Sequence, residues 1–293
     1  VANYGGNQPL HLLNSDGSWA SFSFAFPNEQ RPTDLSVDAR GNPWMALNPA
    51  SGGGLIVWDR DNNQAYYKTD AGGNGNLPDK NVNCITTDRT GYTWVGTDAG
   101  VAYFFSVSED AIKPIYENRF LLRDEKITAI EADAGNRKWI GTEQGVWLFN
   151  PTGEVLVHHF TRENSPLLSN IIRDIEIHAT TGEVFFATDQ GIISYRSDAT
   201  APSEDFENLT IFPNPVSPGY NGMVGITGLA ENAFVRITDI GGKLIWQTQA
   251  NGGMATWNVR DHEGRRASTG IYLVFTATED GRESVVGKIA VIE

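Results

Sequence analysis

A repeat of 45 residues restricts the fold of this chain more than any other feature of its sequence. The segment ADAGNRKWIGTEQGVWLFN, residues 132–150, follows the segment TDRTGYTWVGTDAGVAYFF, residues 87–105, at a constant offset. Four pairs of matching residues keep that offset: Asp88 and Asp133, Trp94 and Trp139, Gly96 and Gly141, Thr97 and Thr142. Periods of this length are typical of repeat architectures, in which every copy is one supersecondary unit.

Further copies lie on both sides of this pair. In VDARGNPWMALN, Asp38 and Trp44 keep the six-residue separation, and in GEVFFATDQGIISY Phe185 takes the tryptophan position. The first residues fit the same register, with Val1 aligned to Val95, inside a strand. The repeats therefore predict the end of one unit, three full units and the first three strands of another within residues 1–198.

Each copy is a series of short alternating segments, and helical periodicity is nearly absent. The second copy divides into VNCITTD, YTWVGTD, GVAYFFSV and AIKPIYEN, which we interpret as four antiparallel strands. Four strands in about 45 residues are typical of a β-propeller blade. The prediction is an all-β protein whose residues 1–198 form the C-terminal part of a β-propeller, a partial ring of four-stranded blades.

The repeated residues have structural roles in such a blade. We expect Trp44, Trp94 and Trp139 to be buried between blades. Glycines two residues after the second and third tryptophans, Gly96 and Gly141, would admit close approach of a neighbouring backbone. The aspartates, Asp38, Asp88 and Asp133, suit the turn between the first two strands, where a carboxylate accepts backbone hydrogen bonds.

The order Asp, turn, Gly, Trp-Val-Gly-Thr, Gly-Val resembles the two-component regulator propeller repeat. The segments LPDKNV and PLLSNI, which precede two of the copies, are similar to the blade linker of that family. This resemblance covers about residues 1–198. It implies a propeller fold and says little about function.

A second domain is expected after a polar linker at residues 199–208. Residues 209–293 contain short alternating strands, with hairpin turns expected at Asp239–Gly242 and at Asp280-Gly281. This pattern predicts a C-terminal immunoglobulin-like β-sandwich.

Four ordered segments of this region, FPNP, ITDIGGKLI, W…DHEGR…STGIY and VVGKIAVIE, resemble the C-terminal sorting domain of the type IX secretion system of Bacteroidetes. We expect the prolines of FPNP to hold the backbone extended, and Gly270 to lie where a side chain would obstruct a neighbouring strand. The motif residues are Pro213, Asn214, Pro215, Asp239, Gly242, Gly264, Gly270 and Tyr272.

Charge and motifs exclude several classes of function. A net charge of −14 argues against nucleic-acid binding, which needs a basic surface. No apolar run approaches the length of a membrane-spanning helix. The lone cysteine, Cys84, is expected to be a small buried side chain in a strand. No serine-hydrolase elbow, zinc-protease motif, phosphate loop or C-x-x-C pair is present, so the chain is expected to be no enzyme.

One metal hypothesis comes from the segment DRDNNQAYYKTD. It places Asp59, Asp61, Asn63 and Asp70 at positions 1, 3, 5 and 12 of a calcium-loop spacing. Gln64 replaces the glycine of such a loop, and a solvated hairpin tip is the competing interpretation. No other cofactor is expected.

The combination of a regulator-type propeller with a type IX sorting domain resembles the PorZ-like attachment-complex proteins. That resemblance implies a non-enzymatic component of the outer-membrane surface of a Bacteroidetes-type bacterium, exported through the periplasm. It also implies partners of the PorU, PorV and PorQ kind and lipopolysaccharide as a ligand. Two alternatives stay open: a secreted adhesion or glycan-binding propeller, and the sensor ectodomain of a hybrid two-component system.

Overall fold

Short strands joined by tight turns make up nearly all of the computed structural model, which describes residues 1–25, 31–203, 209–278 and 283–292. A single 3₁₀ turn, Pro49–Ser51, is the only helical element in these ranges. The strands before the predicted linker are β1 (Leu10–Leu13), β2 (Trp19–Phe22), β3 (Pro32–Val37), β4 (Pro43–Leu47), β5 (Leu55–Asp59), β6 (Gln64–Lys68), β7 (Val82–Thr87), β8 (Thr93–Thr97), β9 (Gly100–Phe104), β10 (Ile115–Tyr116), β11 (Arg119–Phe120), β12 (Ile127–Ala132), β13 (Lys138–Thr142), β14 (Gly145–Phe149), β15 (Leu156–Phe160), β16 (Ile172–His178), β17 (Glu183–Thr188) and β18 (Gly191–Arg196).

The strands after it are β19 (Thr210–Phe212), β20 (Val224–Thr227), β21 (Phe234–Asp239), β22 (Leu244–Gln249), β23 (Met254–Trp257), β24 (Gly270–Ala277) and β25 (Glu283–Val291). The chain divides into two units. The first comprises Val1–Ala132, Arg137–Glu176 and Phe185–Ser194, and the second comprises Asp133–Asn136, Ile177–Val184 and Tyr195–Glu293. The domain boundaries predicted from the sequence stay a prediction. The expected turn at Asp280-Gly281 lies outside the described residues.

Consecutive strands form the sheets that follow the sequence repeat. They are β1-β2, β3-β4-β5-β6, β7-β8-β9, β12-β13-β14-β15 and β16-β17-β18. The second strands β4, β8 and β13 are buried at all five of their positions. A strand covered on both faces lies between neighbouring sheets, so the repeat units pack face to face as propeller blades do.

The second copy departs from the predicted four strands. Its segment AIKPIYEN contributes one isolated bridge, between Ile112 and Tyr103 of β9, and then turns into the short hairpin β10-β11. Glu117 and Asn118 both have positive φ, which reverses the chain at this point. Pro114 has no amide hydrogen to donate to a ladder, so a fourth strand does not continue here.

The three repeated tryptophans are buried, each with 1% or less of its surface exposed. The Trp44 ring lies 5.0 Å from Phe104 of the following sheet, and the Trp139 ring lies 5.7 Å from Phe186 of its following sheet. A side chain in this position therefore packs against the sheet that comes next. Phe185, which occupies the same position in the last copy, is 37% exposed, because no further sheet of the first unit follows β18 within the described residues.

The repeated glycines make room for a side chain rather than for a backbone. A Cβ atom on Gly96 would lie 2.5 Å from the Cγ2 atom of Ile127, the first residue of β12. A Cβ atom on Gly141 would lie 2.7 Å from Cγ2 of Ile172, the first residue of β16. The two isoleucines are themselves 45 residues apart. The same isoleucine side chain therefore packs against the same glycine in successive blades.

The repeated threonines close the next turn. The buried hydroxyls of Thr97 and Thr142 donate to the carbonyl oxygens of Gly100 and Gly145, at 2.8 and 3.2 Å. Both glycines have positive φ, near +97° and +113°. The threonine hydroxyl therefore satisfies a buried carbonyl at a turn that favours glycine.

In the second unit, the three-stranded sheet β19-β20-β23 and the four-stranded sheet β22-β21-β24-β25 share one hydrophobic core. Ile226 and Trp257 come from the first sheet, and Val235, Val274 and Ile289 come from the second; all five are fully buried. The immunoglobulin-like topology stays a prediction.

Gly270 does not have the role expected for it. The nearest atom to a Cβ built on Gly270 is the Ser268 carbonyl oxygen at 3.9 Å, an ordinary contact distance. The expectation of an obstructed strand is wrong, because Gly270 begins β24 at the point where the chain enters the sheet and its surroundings are open.

The two glycine environments predict opposite responses to the same substitution. Gly96→Ala should lower the free energy of unfolding by about 1–3 kcal/mol, because the new methyl group overlaps Ile127 and Cys84 in a packed core. Gly270→Ala is the matched control and should change it by less than about 0.5 kcal/mol. Urea unfolding of both variants measures the difference. Equal losses would contradict the inter-sheet contact as the reason for Gly96.

Candidate functional site

An aspartate turn holds each of the first two repeated tryptophans. Asp88 Oδ1 accepts hydrogen bonds from the amides of Thr90 and Tyr92, at 2.9 and 3.0 Å. The other oxygen, Oδ2, accepts from Trp94 Nε1 at 2.8 Å. Asp38 repeats this arrangement. Its Oδ2 accepts from Trp44 Nε1 at 3.1 Å, and its Oδ1 accepts from the backbone amides two and four residues later. This geometry explains the six-residue spacing in the sequence.

Asp133 accepts a hydrogen bond from the Gly135 amide at 2.9 Å, which is the first bond of the same turn. Asn136 follows with positive φ, where the other two copies have a glycine. The carboxylates of Asp38, Asp88 and Asp133 thus all accept hydrogen bonds from turn amides, as the sequence predicts.

A buried lysine joins the Asp88 site, and sequence reasoning missed it. Lys138 Nζ lies 3.0 Å from Asp88 Oδ2 and 4.7 Å from the Trp94 ring centroid, and it also donates to the Pro151 carbonyl at 3.0 Å. The side chains of the ion pair are 0% and 2% exposed. The one signal for it is a lysine in β13 where the previous copy has Thr93.

The ion pair changes the protonation of Asp88. Burial acts to raise the pKa of this carboxyl, but Lys138 and the hydrogen bonds outweigh it, so the pKa lies below its ordinary value. Because the folded-state pKa is the lower one, the carboxylate stabilises the fold above the unfolded-state pKa. That contribution is lost as the pH falls through the folded-state value.

Acidic side chains gather on the first strands of the blades. Asp34 on β3, Glu131 on β12, and Asp174 and Glu176 on β16 act on one another electrostatically. Asp34 Oδ2 also accepts a hydrogen bond from the Ile85 amide of β7 at 2.7 Å. First strands from four sheets therefore converge, as the inner strands of propeller blades do.

Two of these carboxyls hold protons more tightly than usual. Burial, and then the charges of Glu176 and Asp174, raise the pKa of Glu131 to about 7. Burial also raises the pKa of Asp34, against the hydrogen bonds that it accepts from backbone amides. No group of three or more His, Cys, Asp and Glu side chains that could hold a metal ion occurs in the part of the chain that the structure describes.

A small groove lies between the sheets β3–β6 and β7–β9. Its volume is about 190 Å³, and it is lined by turn residues that include Arg40, Asp61 and Asn62. Two aromatic side chains stand beside them: Tyr92, 40% exposed, and Phe105, 53% exposed. Exposed rings beside carboxylate and amide groups can stack on and hydrogen-bond a neutral polar ligand such as a sugar.

The calcium-loop prediction is wrong, because the candidate ligands do not surround one point. Asp59 ends β5 and its Oδ1 accepts from the amides two and three residues later, so Asp61 and Asn63 lie in a tight hairpin turn. Strand β6 then runs back along β5 to Lys68. Asp70 follows at the opposite end of this hairpin, about 16 Å from the turn at 3.3 Å per residue.

The FPNP motif is joined to the last strand. Asn214 Nδ2 donates to the Lys288 carbonyl at 2.8 Å, and Asn214 Oδ1 accepts from the Ala290 amide at 3.0 Å. Pro213 and Pro215, each after a cis peptide bond, lie with Asn214 in a bend. The expectation of an extended backbone is wrong, because the chain bends to place the Asn214 amide against the edge of β25.

Two further motif segments contain the same turn as the blades. Asp239 Oδ1 accepts from the amides two and four residues later, and Gly242 takes positive φ. Asp261 and Gly264 repeat this arrangement. In the STGIY segment, the Tyr272 hydroxyl donates to the Ser268 carbonyl at 2.8 Å.

The Asp88 ion pair can be tested against a natural control. Asp88→Asn should lower the free energy of unfolding by about 3–5 kcal/mol, because the buried Lys138 ammonium loses its carboxylate. Asp38→Asn changes the same turn without a buried lysine and should cost about 1 kcal/mol. Urea unfolding followed by tryptophan fluorescence measures both. Adding Lys138→Met to Asp88→Asn should restore most of the loss, and no recovery would contradict the ion pair as its cause.

The raised pKa of Glu131 predicts a pH dependence of stability. Between the unfolded-state value near 4.5 and about 7, the folded state holds the extra proton, so stability falls as the pH rises through this window and then levels. Glu131→Gln has no such proton to lose, so the decrease in its Tm between pH 5 and pH 8 should be smaller than the decrease in the wild type. Asp61→Asn, which changes an exposed carboxyl in the turn between β5 and β6, is the control and should leave the profile unchanged. A parallel profile for Glu131→Gln would overturn the assignment.

Comparisons with known proteins agree on a propeller. The family model for the two component regulator propeller matches residues 76–99. No curated protein matches this sequence. Among solved structures, the chain is similar to PorZ, an essential bacterial surface component of the type-IX secretion system of Porphyromonas gingivalis, with 21% identity and a TM-score of 0.55. The similarity covers 99% of this chain and 51% of PorZ, so this chain spans about half of the PorZ length.

Weaker similarities reach the extracellular domain of BT3049 from B. thetaiotaomicron, named as a hybrid two component system, with 15% identity, a TM-score of 0.45 and coverage of 93% and 41%. Virginiamycin B lyase from Staphylococcus aureus follows with 12% identity, a TM-score of 0.38 and coverage of 86% and 83%. Identities and scores this low carry no functional argument. No helix in the described ranges has the length and apolar character needed to cross a membrane. The part of the chain that the structure describes is all-β, and its fold is similar to that of PorZ and contains a propeller of the two component regulator type.

Proposed function

We propose that this protein is a non-enzymatic cell-surface component of a type IX secretion system, where it binds partner proteins. The observation that carries the proposal is the extent of the similarity to PorZ, which covers 99% of this chain and therefore residues of both units. Similarity limited to a propeller would fit many unrelated activities, because propellers host many functions.

The second part of the proposal assigns residues 209–293 to a type IX sorting domain with an immunoglobulin-like β-sandwich. Two sheets around one core, and the Asn214 side chain bonded to the last strand, support this assignment. Because this segment and Val216 cover the edge of β25 near its end, that part of the strand is closed to a partner. A partner would then dock on the loops, where Met223 and Ile240 are 54% and 78% exposed.

The partners in this proposal are attachment-complex proteins of the PorU, PorV and PorQ kind on the outer-membrane surface of a Bacteroidetes-type bacterium. For lipopolysaccharide, the charge of the chain matters. A net charge of −14 repels an anionic glycan, so contact through neutral sugars is the mode that electrostatics favours.

A second candidate is a secreted glycan-binding propeller that uses the sorting domain only for export. The groove beside Tyr92 and Phe105 favours it, because exposed aromatic rings next to Asp61 and Asn62 suit sugar recognition. This role needs the groove, whereas a scaffold role in the secretion system does not.

Gene deletion in the bacterium that encodes this protein tests the first proposal. Cells without the gene should accumulate cargo that still carries its sorting domain, because a part of the attachment machinery is missing. Complementation with the wild-type gene should restore processing, and so should Phe105→Ala, which removes a ring of the groove. Mass spectrometry of the cargo C-termini gives the readout. Normal processing in the deletion strain would reject this function and leave the glycan-binding candidate.

A further inference from the structure

The outer face of the four-stranded sheet in the second unit carries a concave site. Its volume is about 470 Å³, within the range of small-molecule sites. Phe234, Leu244 and Phe275 supply apolar lining, and Arg236 and Gln247 supply polar groups. The site lies on regular strands, so its residues keep fixed spacings.

The strand register places an arginine between an aromatic ring and an amide. Arg236 on β21 lies directly opposite Phe275 on β24 and opposite Gln247 on β22. Directly opposite residues of antiparallel strands have Cβ atoms about 4.5–5.5 Å apart. Phe234, two residues before Arg236 on the same face, is 49% exposed. Arg236 therefore has Phe275 and Gln247 as its cross-strand neighbours and Phe234 as its neighbour along β21.

The charge of Arg236 is not balanced within the site. Among the lining residues that the structure describes none is acidic, and across residues 1–25, 31–203, 209–278 and 287–292 no carboxylate forms an ion pair with Arg236. Arg265 in the same unit differs, because it pairs with Asp261 and Glu263. The sequence has 36 acidic residues and 22 lysines and arginines. In such an acidic chain, an arginine among apolar side chains is unusual.

We propose that this face binds an apolar carboxylate. Arg236 would receive the carboxylate in the bidentate geometry that a guanidinium favours. The apolar body of the ligand would pack on Phe234, Phe275 and Leu244, and Gln247 would hydrogen-bond a remaining polar atom. The same chemistry is offered by a free aromatic or aliphatic acid and by the C-terminal carboxylate of a peptide that ends in an apolar residue. This inference does not depend on the proposed function.

Titration of the full chain with matched probes tests the proposal. N-acetylphenylalanine should give saturable binding by NMR, and N-acetylphenylalaninamide, which lacks the charge, should bind about tenfold more weakly or worse. Arg236→Gln should weaken binding of the acid by a similar factor, and Phe234→Ser should also weaken it. Arg265→Gln, an exposed arginine outside the site, is the control and should leave binding unchanged. A tetrapeptide, N-acetyl-Gly-Gly-Gly-Phe, distinguishes the two sources of the carboxylate.

Tighter binding of the peptide supports a chain terminus as the ligand, and tighter binding of the small acid supports a free carboxylate. Equal binding of the acid and its amide would overturn the proposal, and so would an unchanged affinity of Arg236→Gln. Absence of saturable shifts at millimolar probe would overturn it as well. A thermal unfolding profile that matches the wild type shows that each variant is folded.

Discussion

A carboxylate that holds a turn with one oxygen and an indole with the other is the interaction on which the first unit depends. Asp88 collects two backbone amides on Oδ1 and fixes Trp94 through Oδ2. This bond sets the rotamer of a tryptophan that must fill the space between two sheets. Asp38 and Trp44 repeat the device. The same turn occurs at Asp239, where no tryptophan is bound. The chain therefore uses the same aspartate turn in hairpins of both units.

Packing between blades adds a second constraint at the same period. The absent side chain at Gly96 admits Ile127, and the absent side chain at Gly141 admits Ile172. Lys138 then crosses from β13 to the Asp88 carboxylate of the preceding sheet, over the Trp94 ring. A buried ion pair is sensitive to geometry, because a charge without its partner is costly in a dry interior. We expect the pair to restrict how the two sheets pack, because a shift of one sheet would leave a buried charge without its partner.

These constraints leave specific surfaces for function. The turns place a small groove with exposed aromatic rings at the sheet edges. The first strands gather carboxyls whose burial and mutual repulsion raise the pKa of Glu131 to about 7. In the second unit, the regular strands display Arg236 among phenylalanine rings. These features offer recognition groups on rigid elements, which supports the proposed role in binding.

The sequence by itself determined the all-β class, the repeat and the position of the aspartate turns. The class follows from the alternation of residues along short segments, and the turns follow from hydrogen bonds that each aspartate forms within six residues of itself. Tertiary structure alone decided which residues meet across the chain. Lys138 reaches Asp88 over 50 residues, and Asn214 reaches Ala290 over 76. The tertiary structure also decided that Phe185 is exposed and that Asp70 lies far from Asp59, Asp61 and Asn63. Both outcomes depend on which sheet or strand packs next to these residues. Periodicity records the spacing of residues along one strand, and it carries no information about the neighbour that this strand meets.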